Sequence, residues 1–228
     1  MNQPADSNTW KPLGVLTLLL VLFAGPIFGP ITTYAKAELG VRAGTGLVVA
    51  LFVVVFVALA LGTIRWVKSQ GWTLHDLGWG ASTRISAVVG AVFFGVLWAA
   101  FNVMGYIHQI DPEADPWEIS ALRVGTAIGG VIIACSEDLM TRGFIMNHLK
   151  NGGVGPWRQA LVSSAVFALY HSLWTLSIAG FIVSFFIGLI MAGFFLWGRR
   201  SLTPVIVAHG LCLFLGEPFL TMFMLAAG

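Results

Sequence analysis

The apolar residues of this chain fall in blocks about as long as a bilayer is thick. A helix needs roughly 20 apolar residues to cross the hydrocarbon core. Seven segments meet or approach that length: about 13–34, 46–66, 86–107, 124–147, 160–177, 179–198 and 203–226. A backbone in lipid must satisfy its polar groups internally, so each segment is expected to be helical. The expected fold class is all-α, a polytopic transmembrane helix bundle of about seven spans. Composition agrees, since 57% of the 228 residues are hydrophobic and only 10% are charged, against about a quarter charged in soluble domains.

The sizeable connections are 67–85 and 108–123, the second carrying Asp111, Glu113, Asp115 and Glu118. Residues 1–119 are expected to form N-terminal transmembrane hairpins and this acidic loop, and 120–228 the functional core. Lys11, Arg65, Lys68, Arg84, Lys150, Arg158, Arg199 and Arg200 fall on one side, and Lys36, Arg42 and Arg123 on the other. The excess places the N-terminus in the cytoplasm and the C-terminus outside. Ala35-Lys36-Ala37 resembles a signal-peptidase site, but Lys11 is the only basic residue ahead of a long apolar run, which fits a retained span better. Cys135 and Cys212 lie inside apolar blocks and suggest packing rather than a disulfide. No Lys/Arg run points to nucleic acid, so the partner that composition names is the lipid bilayer.

Ionisable residues within such spans are costly and are functional candidates by default. Glu137, Asp138 and Arg142 lie on the fourth span, His171 on the fifth, and His209 and Glu217 on the seventh. Asp138 and Arg142 are four apart, share a helix face and are expected to pair. Glu137 lies about 100° round from Asp138 and finds no partner on its own helix. A carboxylate in that position is the kind of group that acts as a general base. Counted from the cytoplasmic end, Glu137 and His171 lie roughly 15–20 Å deep and His209 roughly 9 Å. One carboxylate and two imidazoles would thus share the cytoplasmic half of the membrane, where they could activate water or bind a metal. Small residues at Gly180, Ser184, Gly188 and Ala192 predict close helix packing along the sixth span. Thr203 ahead of Pro204 reads as the cap that starts the seventh.

Three motifs in series carry a resemblance. Glu137-Asp138-Leu-Met-Thr-Arg142-Gly143 is similar to Glu-Glu-x-x-x-Arg-Gly, Phe167-Ala-Leu-Tyr-His171 matches Phe-x-x-x-His, and "LTPVIVAHG" places His209 at a third motif. Over about 120–215 the chain resembles the CPBP intramembrane peptidases, the CAAX protease and bacteriocin-processing proteins also called Abi. It departs from that pattern twice: the second glutamate is Asp138, and the family's His-x-x-x-Asn (or Asp) reads His209-x-x-x-Leu213.

The resemblance implies an intramembrane glutamic peptidase. Glu137 would activate a water, His171 would help to hold it, and His209 would stabilise the oxyanion. Asp138, Arg142 and Phe167 would support them. Losing one oxyanion donor typically costs on the order of 10²–10³ in rate, so Leu213 implies a slow or differently equipped enzyme. No cofactor is implied; zinc on Glu137, His171 and His209 is the alternative, although no His-Glu-x-x-His pairing is present. The implied substrate is a membrane-associated peptide or protein, prenylated or a leader peptide, at a prokaryotic plasma membrane. The competing functions are a non-proteolytic accessory or immunity-type protein of the same fold, and a proton-coupled transporter using Glu137, the histidines and Glu217. No internal repeat supports the transporter.

Overall fold

A computed structural model describes residues 7–23, 28–173 and 177–227, and among these residues no strand occurs. The helices are α1 (Ser7–Leu22), α2 (Phe28–Tyr34), α3 (Gly40–Ser69), α4 (Ile85–Gln109), α5 (Ala121–Asp138), α6 (Asn147–Asn151), α7 (Pro156–Ser172), α8 (Ile178–Trp197), α9 (Thr203–Gly216) and α10 (Phe219–Ala227). Two π-helical segments, Ala35–Leu39 and Leu139–Met146, join α2 to α3 and α5 to α6. The all-α bundle expected from the sequence is therefore the fold.

Four helical stretches are long and apolar enough to cross a membrane: Gly29–Ser69, Ile85–Gln109, Ala121–Asn151 and Ile178–Trp197. The pair α9 and α10, bent by 70°, makes a fifth if counted as one broken span. The expected count of seven is not reproduced. Of the stretch 13–34, α1 covers residues to Leu22 and Phe28–Tyr34 leads into α3; residues 24–27 lie outside the described residues. The stretch 160–177 corresponds to α7, a 17-residue helix; its residues 174–176 also lie outside the described residues. Helix α7 turns Gln159, Ser163 and Ser164 into the protein interior, so its apolar character is less than a lipid-facing span requires.

Packing follows an inside-out rule suited to lipid. On α4, Ala87, Ala91 and Ala99 are buried while Phe93, Leu97, Phe101 and Met104 are exposed. Small residues face the bundle because helices in lipid gain by close backbone approach, and large apolar residues face the acyl chains. A Cβ added at Gly95 would come within 2.5 Å of the Ala208 carbonyl oxygen, so α4 and α9 touch backbone to backbone. The ladder on α8 acts the same way in its second half: a Cβ at Gly188 would lie 3.0 Å from Ser164 of α7, and Ala192 is fully buried.

The connection between α3 and α4 folds back over one end of the bundle. Leu77 is fully buried, its carbonyl oxygen lies 2.8 Å from where a Cβ of Gly143 would be, and Gly78 O accepts from Leu202 N at 3.0 Å. Ser201 donates to Ala81 O at 3.1 Å. The turn that launches α9 is thereby covered, with Ser201 and Leu202 buried. Ser201 Oγ, rather than Thr203, supplies the polar group at the start of α9, accepting from Thr203 N at 3.2 Å.

Candidate active site

Three elements supply the site. Helix α5 ends on Glu137 and Asp138, and the π-helical turn that follows carries Arg142. Widened turns of this kind recur at functional sites because they re-aim side chains within an otherwise regular helix. Near its C-terminal end α7 presents Tyr170 and His171, and α9 presents His209 two turns in. The three catalytic candidates, Glu137, His171 and His209, meet. Glu137 Oε1 lies 3.9 Å from His171 Nε2, and Glu137 Oε2 lies 3.7 Å from His209 Nε2.

The depth mismatch expected for His209 does not arise. Its helix starts from a turn buried beneath the α3–α4 connection, so six residues into α9 already reach the level of Glu137.

Asp138 and Arg142 pair as expected, Oδ1 to Nη1 at 3.3 Å, both with fully buried side chains. Asp138 has a second partner that the helical spacing does not reveal: its Oδ2 lies 3.2 Å from His209 Nδ1. With Nδ1 engaged there, Nε2 is the His209 nitrogen left facing Glu137. Trp98 of α4 stacks on the His209 ring, centroids 5.5 Å apart and planes 16° from parallel. His171 is oriented likewise, since its Nδ1 lies 2.9 Å from Phe167 O, leaving Nε2 toward Glu137.

Arg142 is held through its two terminal nitrogens, while its Nε is buried without a partner among the described residues. Its guanidinium donates to Thr141 Oγ1 at 2.6 Å and to Gly188 O at 3.4 Å, and lies 4.5 Å above the Phe167 ring. Phe167 thus supports both the arginine and, through its carbonyl, His171. Burying a charge is costly unless it is paired and hydrogen-bonded, and these contacts hold Arg142 beside Asp138. The site opens at one edge: the His171 side chain is 28% exposed, against 4% for Glu137 and His209.

Two polar residues resolve differently. Helical spacing gives no role to Tyr170, yet its hydroxyl donates to Glu137 Oε1 at 2.9 Å. Glu217 does not join the cluster. It is buried at the break between α9 and α10, where its carboxylate accepts from Thr221 Oγ1 at 2.8 Å and Thr221 N at 3.4 Å. That is the arrangement of an N-terminal helix cap, with a carboxylate at the positive end of α10.

Leu213 lies one turn beyond His209 and is buried against α5; a Cβ at Gly130 would come 2.8 Å from the Leu213 Cβ. The position holds an aliphatic packing contact and no donor. Among the described residues, no group of three or more His, Cys, Asp or Glu side chains is arranged to hold a metal ion.

Residues 117–215 match the family model described as type II CAAX prenyl endopeptidase Rce1-like. That range contains Glu137, Asp138, Arg142, Phe167, His171 and His209. No curated protein and no solved structure matches the chain.

Proposed function

On the basis of the match between residues 117–215 and the type II CAAX prenyl endopeptidase Rce1-like family model, we propose that this integral membrane protein is an intramembrane endopeptidase using a glutamate-activated water. The observation that carries the reading is the carboxylate of Glu137 set between two imidazole nitrogens, 3.9 and 3.7 Å away, on three different helices. Glu137 takes the proton of a water that His171 Nε2 helps to hold, and the resulting hydroxide attacks the substrate carbonyl. His209, protonated at both nitrogens, donates from Nε2 to the oxyanion while Asp138 Oδ2 accepts from Nδ1. Glu137 then returns the proton to the leaving amine. General acid–base action of this kind contributes roughly 10²–10⁴-fold, and an oxyanion donor roughly 10²–10³-fold. Residues 120–228 form the catalytic core in this reading, and 1–119 supply the flanking hairpins.

The substrate is a membrane-associated peptide with its scissile bond brought to the His171 edge, a prenylated C-terminal segment or a leader peptide. The positive-inside bias favours a cytoplasmic N-terminus and an external C-terminus in a prokaryotic plasma membrane. The test is cleavage of prenylated and unprenylated reporter peptides by purified protein carrying Glu137→Gln or His171→Ala. Loss of cleavage in both, with unfolding temperatures retained, supports the glutamate mechanism; cleavage unchanged in both rejects it. Zinc is decided separately: one equivalent of metal in the active protein, with activity lost to chelator and restored by zinc, favours a metal-dependent alternative.

Leu213 favours a second reading, a non-proteolytic accessory or immunity-type protein that keeps the fold. The absence of cleavage in the wild type, with cleavage gained in Leu213→Asn, would select it.

A further inference from the structure

Among the described residues, the one side chain within hydrogen-bond range of the Glu137 carboxylate is Tyr170, whose hydroxyl lies 2.9 Å from Oε1. The two histidines stand at 3.9 and 3.7 Å, beyond that range. Arg142 is turned away, its two terminal nitrogens directed to Asp138, Thr141 and Gly188. We infer that Tyr170 is a positioning residue that fixes the orientation of the Glu137 carboxylate. The kinetic consequence rests on the peptidase reading above; the contact rests on geometry alone.

Two observations carry this beyond one hydrogen bond. The phenol ring is itself immobilised, only 2% exposed and packed at 6.1 Å from Phe56 of α3, 5.7 Å from Phe167 and 4.5 Å from His171. A donor fixed by three rings holds its acceptor in one place. The bond also lies on the opposite side of the carboxylate from His209. Tyr170 and His171 Nε2 both approach Oε1, whereas Oε2 faces His209. By holding one oxygen, Tyr170 fixes the plane of the carboxylate and so the direction in which the other oxygen faces His209. A free glutamate side chain in the same cavity would rotate among orientations, and a misplacement of about 1 Å in a reacting group can cost on the order of 10²-fold in rate.

The experiment uses the full-length protein in detergent with three variants, Tyr170→Phe, Glu137→Gln and the double variant. Difference infrared spectra, wild type minus Glu137→Gln, isolate the Glu137 carboxyl bands. In Tyr170→Phe those bands shift, because a hydrogen bond to the carboxyl group is lost; an unshifted band overturns the inference. Kinetically, kcat falls about 10²-fold with KM unchanged, and the double variant is no slower than Glu137→Gln alone, the non-additivity expected of residues acting through one group. Additive losses overturn it. If the wild type cleaves no peptide yet the bands shift, the positioning role stands and the peptidase reading fails.

Discussion

Asp138 is the residue whose role changes most between sequence and structure. Helical spacing assigns it to Arg142, and the ion pair is present at 3.3 Å. The second contact, to His209 Nδ1 at 3.2 Å, comes from a residue 71 positions away and is invisible to any local rule. Asp138→Ala therefore has two measurable effects. Removing one partner of a buried ion pair leaves the other uncompensated and costs about 3–5 kcal/mol, which thermal unfolding in detergent will report. Cleavage falls further than that loss of folded protein explains, because His209 loses its orienting acceptor. At Leu213 the expected change is a gain: Leu213→Asn raises the rate, with about 10²-fold as the upper expectation for one oxyanion donor, and an unchanged rate in a folded variant means the position is outside the reacting centre. Glu137, His171 and His209 were legible because ionisable groups in apolar helices are conspicuous. Tyr170 was not, because an aromatic residue in such a helix needs no explanation until its hydroxyl is seen at 2.9 Å from Glu137.

The helices position the site by contacts between small residues. Gly95 lets α4 lie on the backbone of α9, and Trp98, one turn further along α4, stacks on His209. Gly95→Leu is expected to separate the two helices and cost about 1–3 kcal/mol, as overpacking of a tight interface does, while displacing Trp98 from the His209 ring. Gly210→Ala is the matched control: a Cβ there meets nothing within 4 Å, so unfolding temperature and rate should be unchanged or slightly raised. The α8 ladder and the long apolar helices could be read from residue spacing. The interior placement of α7 could not, because hydropathy measures apolar content and does not distinguish a lipid-facing face from one buried in protein. Gln159, Ser163 and Ser164, all buried on α7, show the difference.

Across the whole molecule, the α3–α4 connection is the feature that reconciles the depths of the site residues. By covering the turn before α9 it lets His209 meet Glu137 although it lies early in its helix. Leu77 is the fully buried anchor of that cover, and Leu77→Ala should cost about 2–5 kcal/mol, the usual range for such a core truncation. Orientation is testable at the two exposed connections. With Arg65, Lys68 and Arg84 on the cytoplasmic side, a cysteine replacing Ile119 in the acidic loop reacts with an impermeant thiol reagent in intact cells, and one replacing His75 reacts only after lysis. The reverse pattern would invert the topology without altering the site. The central claim concerns chemistry, and one comparison tests it most directly: cleavage of a reporter peptide by purified, chelator-treated wild type and by Glu137→Gln of equal thermal stability. The account predicts that the wild type keeps its rate and that Glu137→Gln falls by at least about 10²-fold. A Glu137→Gln protein that cleaves as fast as the wild type would contradict it.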